Sequence, residues 1–159
     1  MITGFIIILI LSPSGWNPKI MQLQSQLTAY LFEKYIQEVA TATFQHGGTA
    51  SQLDGYQLLP LMDTWQFPKY PAKTAILPPT IDLVQALKNF ISANETFLCE
   101  PGCWLGTWIH PQTRCFYLDI TTSCSDLNEA KRMALEISDR EGRKIVAIYN
   151  SKRKETVYL

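Results

Sequence analysis

Between residues 104 and 159 the spacing of apolar side chains changes from two to 3.6 and back to two. Alternation over a few residues is the signature of a strand with one buried face, and recurrence every three to four residues is that of an amphipathic helix. A segment that carries both in succession is specified as a packed α+β unit, and coiled coil, channel and disordered chain are excluded. The spacing predicts strands at 104–109 and 115–122, a helix at 126–141, and strands at 144–149 and 156–159. In the second strand Phe116, Leu118 and Ile120 alternate with Cys115, Tyr117, Asp119 and Thr121. Residues 110–114 are short enough to close the first two strands as a hairpin. Asp126 precedes the helical stripe, and Glu129 stands three residues on, the spacing of a capping box with Asp in the Ser/Thr role. Gly142, with Arg140, Arg143 and Lys144 around it, suits the helix end. The expected class is α+β: a small antiparallel sheet with helices on one face, ending in a β-hairpin–helix–β-hairpin module.

Upstream, Leu23, Leu27, Leu31, Tyr35 and Val39 recur every four residues and predict an amphipathic helix over 22–44, stopped at Gly47-Gly48. That stripe is expected to face the core. Residues 55–77 are rich in aromatics and prolines. Tyr56, Leu58 and Leu59 suggest a strand that Pro60 cuts short, and 65–71 reads as an extended loop whose rings pack over the core or as a binding surface. A short strand is expected near 73–77, and a second helix over 80–93 with Thr80 as N-cap and Asp82 in the first turn.

The N-terminal segment, residues 1–20, stands apart. Phe5 to Leu11 is an unbroken apolar run, too short for the roughly 20 apolar residues that span a bilayer. No basic residue precedes it and no small-residue cleavage site follows, so it does not read as a secretory signal. It reads either as a buried strand or as an extension ahead of a natural start at Met21. Residues 21–159 are then expected to form one α+β domain.

Charge and composition narrow the function classes. Lys plus Arg and Asp plus Glu number 14 each, and the charged fraction is 18%. A neutral chain lacks the excess that drives non-specific nucleic-acid binding. From residue 126 onward the basic side chains outnumber the acidic by two, with Lys152, Arg153 and Lys154 in one predicted turn. Together with Arg114 they form the alternative reading, a nucleic-acid accessory protein that stacks bases on neighbouring aromatics.

Cys99 and Cys103 have the spacing of half a zinc knuckle, and His110 and Cys115 follow, but the second half of a four-ligand pattern is missing. Cys99, Cys103, His110 and Cys115 therefore define an alternative metal or Cys-His enzyme reading; the leading one invokes no metal, no cofactor and no catalytic residue. That leading reading rests on Trp104 and Trp108, which alternate around Gly106 on one strand and face Tyr117 on the next. Such an aromatic patch suits a protein partner. Nucleic acid and membrane are not the expected partners, and the four cysteines suit a reducing, cytoplasmic compartment.

The residues Gly106-x-Trp108-x-x-Pro111-x-Thr113, Tyr117 to Thr121, Asp126…Glu129-Ala130 and Ile145 to Tyr149 together resemble a group of small proteins encoded by bacteriophages, plasmids and bacterial chromosomes. The resemblance covers about the last 60 residues and departs at Asn150, where the group often has Asp. It implies a shared fold module and a mobile-element or accessory context, and it implies no activity. A chain that starts at Met21 is expected to melt within a few degrees of the full chain; a large loss of stability by calorimetry would show that the apolar run is part of the core.

Overall fold

The computed structural model describes residues 17–159. The apolar run at residues 5–11 lies outside the described residues. The first helix, α1, spans Pro18–His46 and so begins upstream of Met21. Asn17 caps it by accepting the Lys19 amide at 3.0 Å, and proline occupies the first helical position, where no donor is needed. Gly47, at φ 78°, turns the chain out of the helix with its amide on the Thr43 carbonyl. Only the last part of α1 is packed: Tyr35, Ile36, Val39, Ala40, Ala42 and Thr43 are buried. Leu23, Leu27 and Leu31, expected to face the core, are exposed. The helix simply runs past the edge of the domain, so its periodic stripe outlives the surface beneath it.

After α1 come β1 (Gly48–Gln52) and β2 (Gln57–Leu58), then β3 (Trp65–Pro68), a 3-10 turn (Pro71–Lys73) and β4 (Ala75–Leu77). Helix α2 is Leu83–Leu98, capped by Asp82 on the Gln85 amide. The cap thus lies two residues beyond Thr80, because Pro78 and Pro79 are followed by a turn before the helix starts. Asn94 lies inside α2, where it is buried and donates its side-chain N–H to the Phe90 carbonyl. The C-terminal module follows as expected: β5 (Trp104–Ile109), β6 (Phe116–Cys124), α3 (Leu127–Glu141), β7 (Ala147–Asn150) and β8 (Glu155–Tyr158). Asp126 caps α3 on the Glu129 amide at 2.8 Å.

The eight strands of the described residues join one antiparallel sheet, ordered β2-β1-β5-β6-β3-β7-β8, with β4 also on β6. The two C-terminal hairpins are therefore in one sheet but not adjacent, because β3 lies between β6 and β7. This corrects the reading of 65–71 as a loop. Trp65 and Phe67 alternate inward on an interior strand and are 2% and 1% exposed, and Pro68 sits at the strand's last position, where ladder pairing stops. β1 has no apolar alternation to announce it. It is held by pairing with β5 and by a buried hydrogen bond between Ser51 Oγ and Tyr35 Oη of α1 at 2.8 Å.

Directly paired residues share a face, so the register assigns every strand residue to one side. Leu105, Thr107, Ile109, Phe116, Leu118, Ile120, Phe67, Trp65 and Ile148 fall on the same side. That side carries the three described helices. α1 and α2 close over β5 and β6 with Val39, Leu87, Phe90 and Ile91. α3 closes over β3 and β7 with Ala130, Ala134 and Ile137. A buried bond between Thr43 and Thr107 hydroxyls, 2.6 Å, pins α1 to β5. The other side holds Trp104, Gly106, Trp108, Tyr117, Asp119 and Thr121.

Leu118 is fully buried on β6, paired with Thr107 of β5 on one side and Ala75 of β4 on the other. Leu118→Ala is expected to cost about 2–5 kcal/mol in urea denaturation through the cavity it leaves, whereas Leu135→Ala, on the exposed side of α3, is expected to stay within about 0.5 kcal/mol. Equal effects would contradict the assignment of faces.

Candidate functional site

The side of the sheet that no described helix covers carries the aromatic row. Trp108 and Tyr117 are direct cross-strand partners with ring centroids 5.2 Å apart. His110, just past the end of β5, lies 5.1 Å from Trp108 and 6.1 Å from Tyr117. Its Nδ1 accepts the Gln112 and Thr113 amides at 3.3 Å each, which fixes the ring at the hairpin turn. All three rings are partly exposed. Trp104 continues the row at the other end of β5, opposite Thr121, and its indole N–H is buried without a partner among the described residues.

Gly106 separates the two tryptophans because nothing larger fits. A Cβ there would stand 2.0 Å from Thr121 Oγ1, so the Thr121 side chain occupies the space above the glycine. Asp119, the partner of Gly106, lies between the aromatic ends of the row. It accepts a hydrogen bond from Thr74 Oγ1 of the segment entering β4. Burial pushes its carboxyl up to about 6, against the opposing effects of the Thr74 bond and the positive charge of Arg143. The face thus offers ring surfaces, with the Asp119 carboxyl recessed between them and the Trp104 indole N–H buried. That set can hold an apolar or aromatic side chain; a nucleophile with an aligned base is not among it.

A second cluster escaped the sequence reading. Lys69 Nζ donates to Glu100 Oε2 at 2.8 Å, Tyr70 Oη donates to the same oxygen at 2.7 Å, and Cys103 Sγ stands 3.4 Å from Lys69 Nζ. The Lys69 bond is the main cause that holds the Glu100 carboxyl below its ordinary range, and the same bond holds the Lys69 ammonium above its own. A lysine held protonated is no nucleophile; here it ties residues 69–70 to the end of α2. Tyr70 also meets Phe97 edge-on at 5.0 Å. These contacts join residues about thirty apart in an aperiodic stretch, so no spacing signal marks them.

The two alternative sets are dispersed. Cys99 and Cys103 precede β5, whereas His110 and Cys115 lie beyond its far end, about 20 Å along the strand. Among the described residues no three His, Cys, Asp or Glu side chains gather in a metal-holding group. Arg114 sits in the β5–β6 turn, and Lys152, Arg153 and Lys154 sit in the β7–β8 turn, at opposite ends of β6 and about 26 Å apart along it. Arg153 is further committed to Asp63, with Nε 2.6 Å from Oδ1, and lies over the Trp65 ring. No described helix is long and apolar enough to cross a membrane. Comparison with protein-family models, with curated proteins and with solved structures finds no match.

Asp119 gives a pH test with a definite sign. Its folded value of about 6 lies above its ordinary 3.8, so between these values the folded chain holds the proton more tightly than the unfolded chain. The contribution to stability is therefore greatest below about pH 4 and is lost as pH rises to about 6. Asp119→Asn keeps an acceptor for Thr74 and carries no charge. It is expected to raise stability by about 1–3 kcal/mol at pH 7 and by little at pH 4, read from denaturation at both. A loss of stability at pH 7 would show instead that the carboxylate is a net favourable partner of Arg143.

Proposed function

We propose that this chain is a non-enzymatic accessory protein that binds a protein partner through Trp104, Trp108 and Tyr117. The observation that carries the proposal is the pairing of Trp108 with Tyr117 at 5.2 Å, both partly exposed on the sheet face that bears no described helix. Rigid aromatic rings on a strand lose little entropy on contact and supply large apolar area, which is why such residues dominate interface energetics. Free cysteines at 99, 103, 115 and 124 suit a reducing, cytoplasmic setting. The resemblance of the C-terminal module to phage- and plasmid-encoded proteins supports an accessory role of mobile-element origin.

Affinity capture from native lysate, with mass spectrometry and nucleic-acid detection, tests this. Trp108→Ala and Tyr117→Ala are expected to lower capture of a specific protein about tenfold or more while circular dichroism stays unchanged. Lys152→Ala and Lys154→Ala are expected to change it little, since exposed turn charges are screened at physiological salt. If the aromatic changes unfold the chain, that face is core and the proposal fails. If the lysine changes abolish capture of nucleic acid, the nucleic-acid reading replaces it.

A further inference from the structure

The first half of α1 carries an apolar seam of its own. Ile20, Leu23, Leu27 and Tyr30 follow a three-four-three spacing, with Leu31 beside them, and are 42–64% exposed. These are a and d positions of two successive heptads. The opposite side of the same stretch, Ser25, Thr28, Ala29 and Phe32, turns towards α2 across an open groove of about 1070 Å³. At 100° per residue the seam points away from that groove and from the domain. No described residue covers it.

We infer that this seam is a dimerisation surface and that its occupant is the same seam on a second copy, packed antiparallel. Charge placement selects the copy and the direction. From residue 17 to 32 the sequence holds one charge, Lys19, and the next is Glu33. Both occupy g positions, at opposite ends of the seam. In an antiparallel pair Ile20 meets Tyr30 of the copy, Leu23 meets Leu27, and each Lys19 meets the other chain's Glu33. A parallel pair would set Glu33 against Glu38 of the copy. Glu33 already receives Lys88 at 2.7 Å through Oε1, and a carboxylate's second oxygen can accept Lys19. The seam ends where it should: Lys34 and Gln37 occupy the next a and d positions. The uncharged flank of Gln22, Gln24 and Gln26 lacks the basic side chains with which interfacial helices hold lipid headgroups.

Five large side chains at about half exposure give on the order of 500 Å² per copy, near the lower bound for a specific interface. The expected dimer is therefore a micromolar one. Sedimentation velocity of the full chain from about 1 to 100 μM should show monomer passing to dimer. Leu23→Glu/Leu27→Glu should remain monomeric at the highest concentration, with helix content and Tm within a few degrees of the parent, because the seam is outside the core. Lys19→Glu should weaken association about three- to tenfold by removing two exposed ion pairs per dimer. A parent chain that is monomeric throughout overturns the inference, and so does a dimer that survives Leu23→Glu/Leu27→Glu. Seam-dependent binding of a monomer to phosphatidylcholine vesicles would assign the seam to lipid instead. Unchanged association of Lys19→Glu would overturn the antiparallel register.

Discussion

Everything in this fold hangs on the pairing of β6. On one side it runs against β5 over six residue pairs, from Trp104↔Thr121 to Ile109↔Phe116. On the other it is shared: β4 takes its first residues, Phe116 to Leu118, and β3 takes its last, Thr121 to Cys124. The chain leaves the sheet between those two strands and returns, with the Lys69 amide bonded to the Ile120 carbonyl at the point of departure. A strand paired on both sides over most of its length leaves few ladder groups free, and its side chains are committed to one face or the other. A slip of one residue would move Phe116, Leu118 and Ile120 to the side that bears no described helix and bring Tyr117 and Asp119 under the helices.

What the sequence disclosed follows from the range of the interactions involved. The β5–β6 hairpin, α3 and the Asp126 cap are written within a few residues of themselves, and their bounds were legible to within a few positions. β3 was not, because Trp65, Phe67 and Pro68 read as a loop or a binding surface and only the distant partners Cys124 and Asn150 make them a strand. β1, with the sequence GTASQ, has no hydrophobic pattern at all and is specified by its neighbour β5 and by Tyr35. On α1 the period was legible but not the extent of the surface beneath it. The same limit applies to the candidate site. Trp104, Trp108 and Tyr117 were assigned to one face by alternation alone. The Lys69–Glu100 contact joins segments that carry no periodic signal.

The two proposed surfaces differ in origin. The aromatic row is rigid: Trp108 and Tyr117 stand on paired strands, His110 is fixed by backbone amides, and Gly106 is filled by Thr121. The α1 seam projects from the body of the domain and owes nothing to the core. A dimer formed through the seam would leave the aromatic face free on each copy, so one chain could self-associate and still present Trp104, Trp108 and Tyr117. The even charge balance suits contacts of this kind, in which shape and apolar area decide affinity and a few charges decide direction.

Native-state amide hydrogen exchange along β6 tests the central claim most directly. If β6 is the strand on which the sheet depends, the amides that it donates to β3, β4 and β5 exchange only with global unfolding and are among the slowest in the chain. Those of β8, at the sheet's edge, exchange by local opening at lower free energy. Exchange of the Leu118 to Thr122 amides as fast as that of β8 would contradict the account, because it would mean that the strand is not held from both sides.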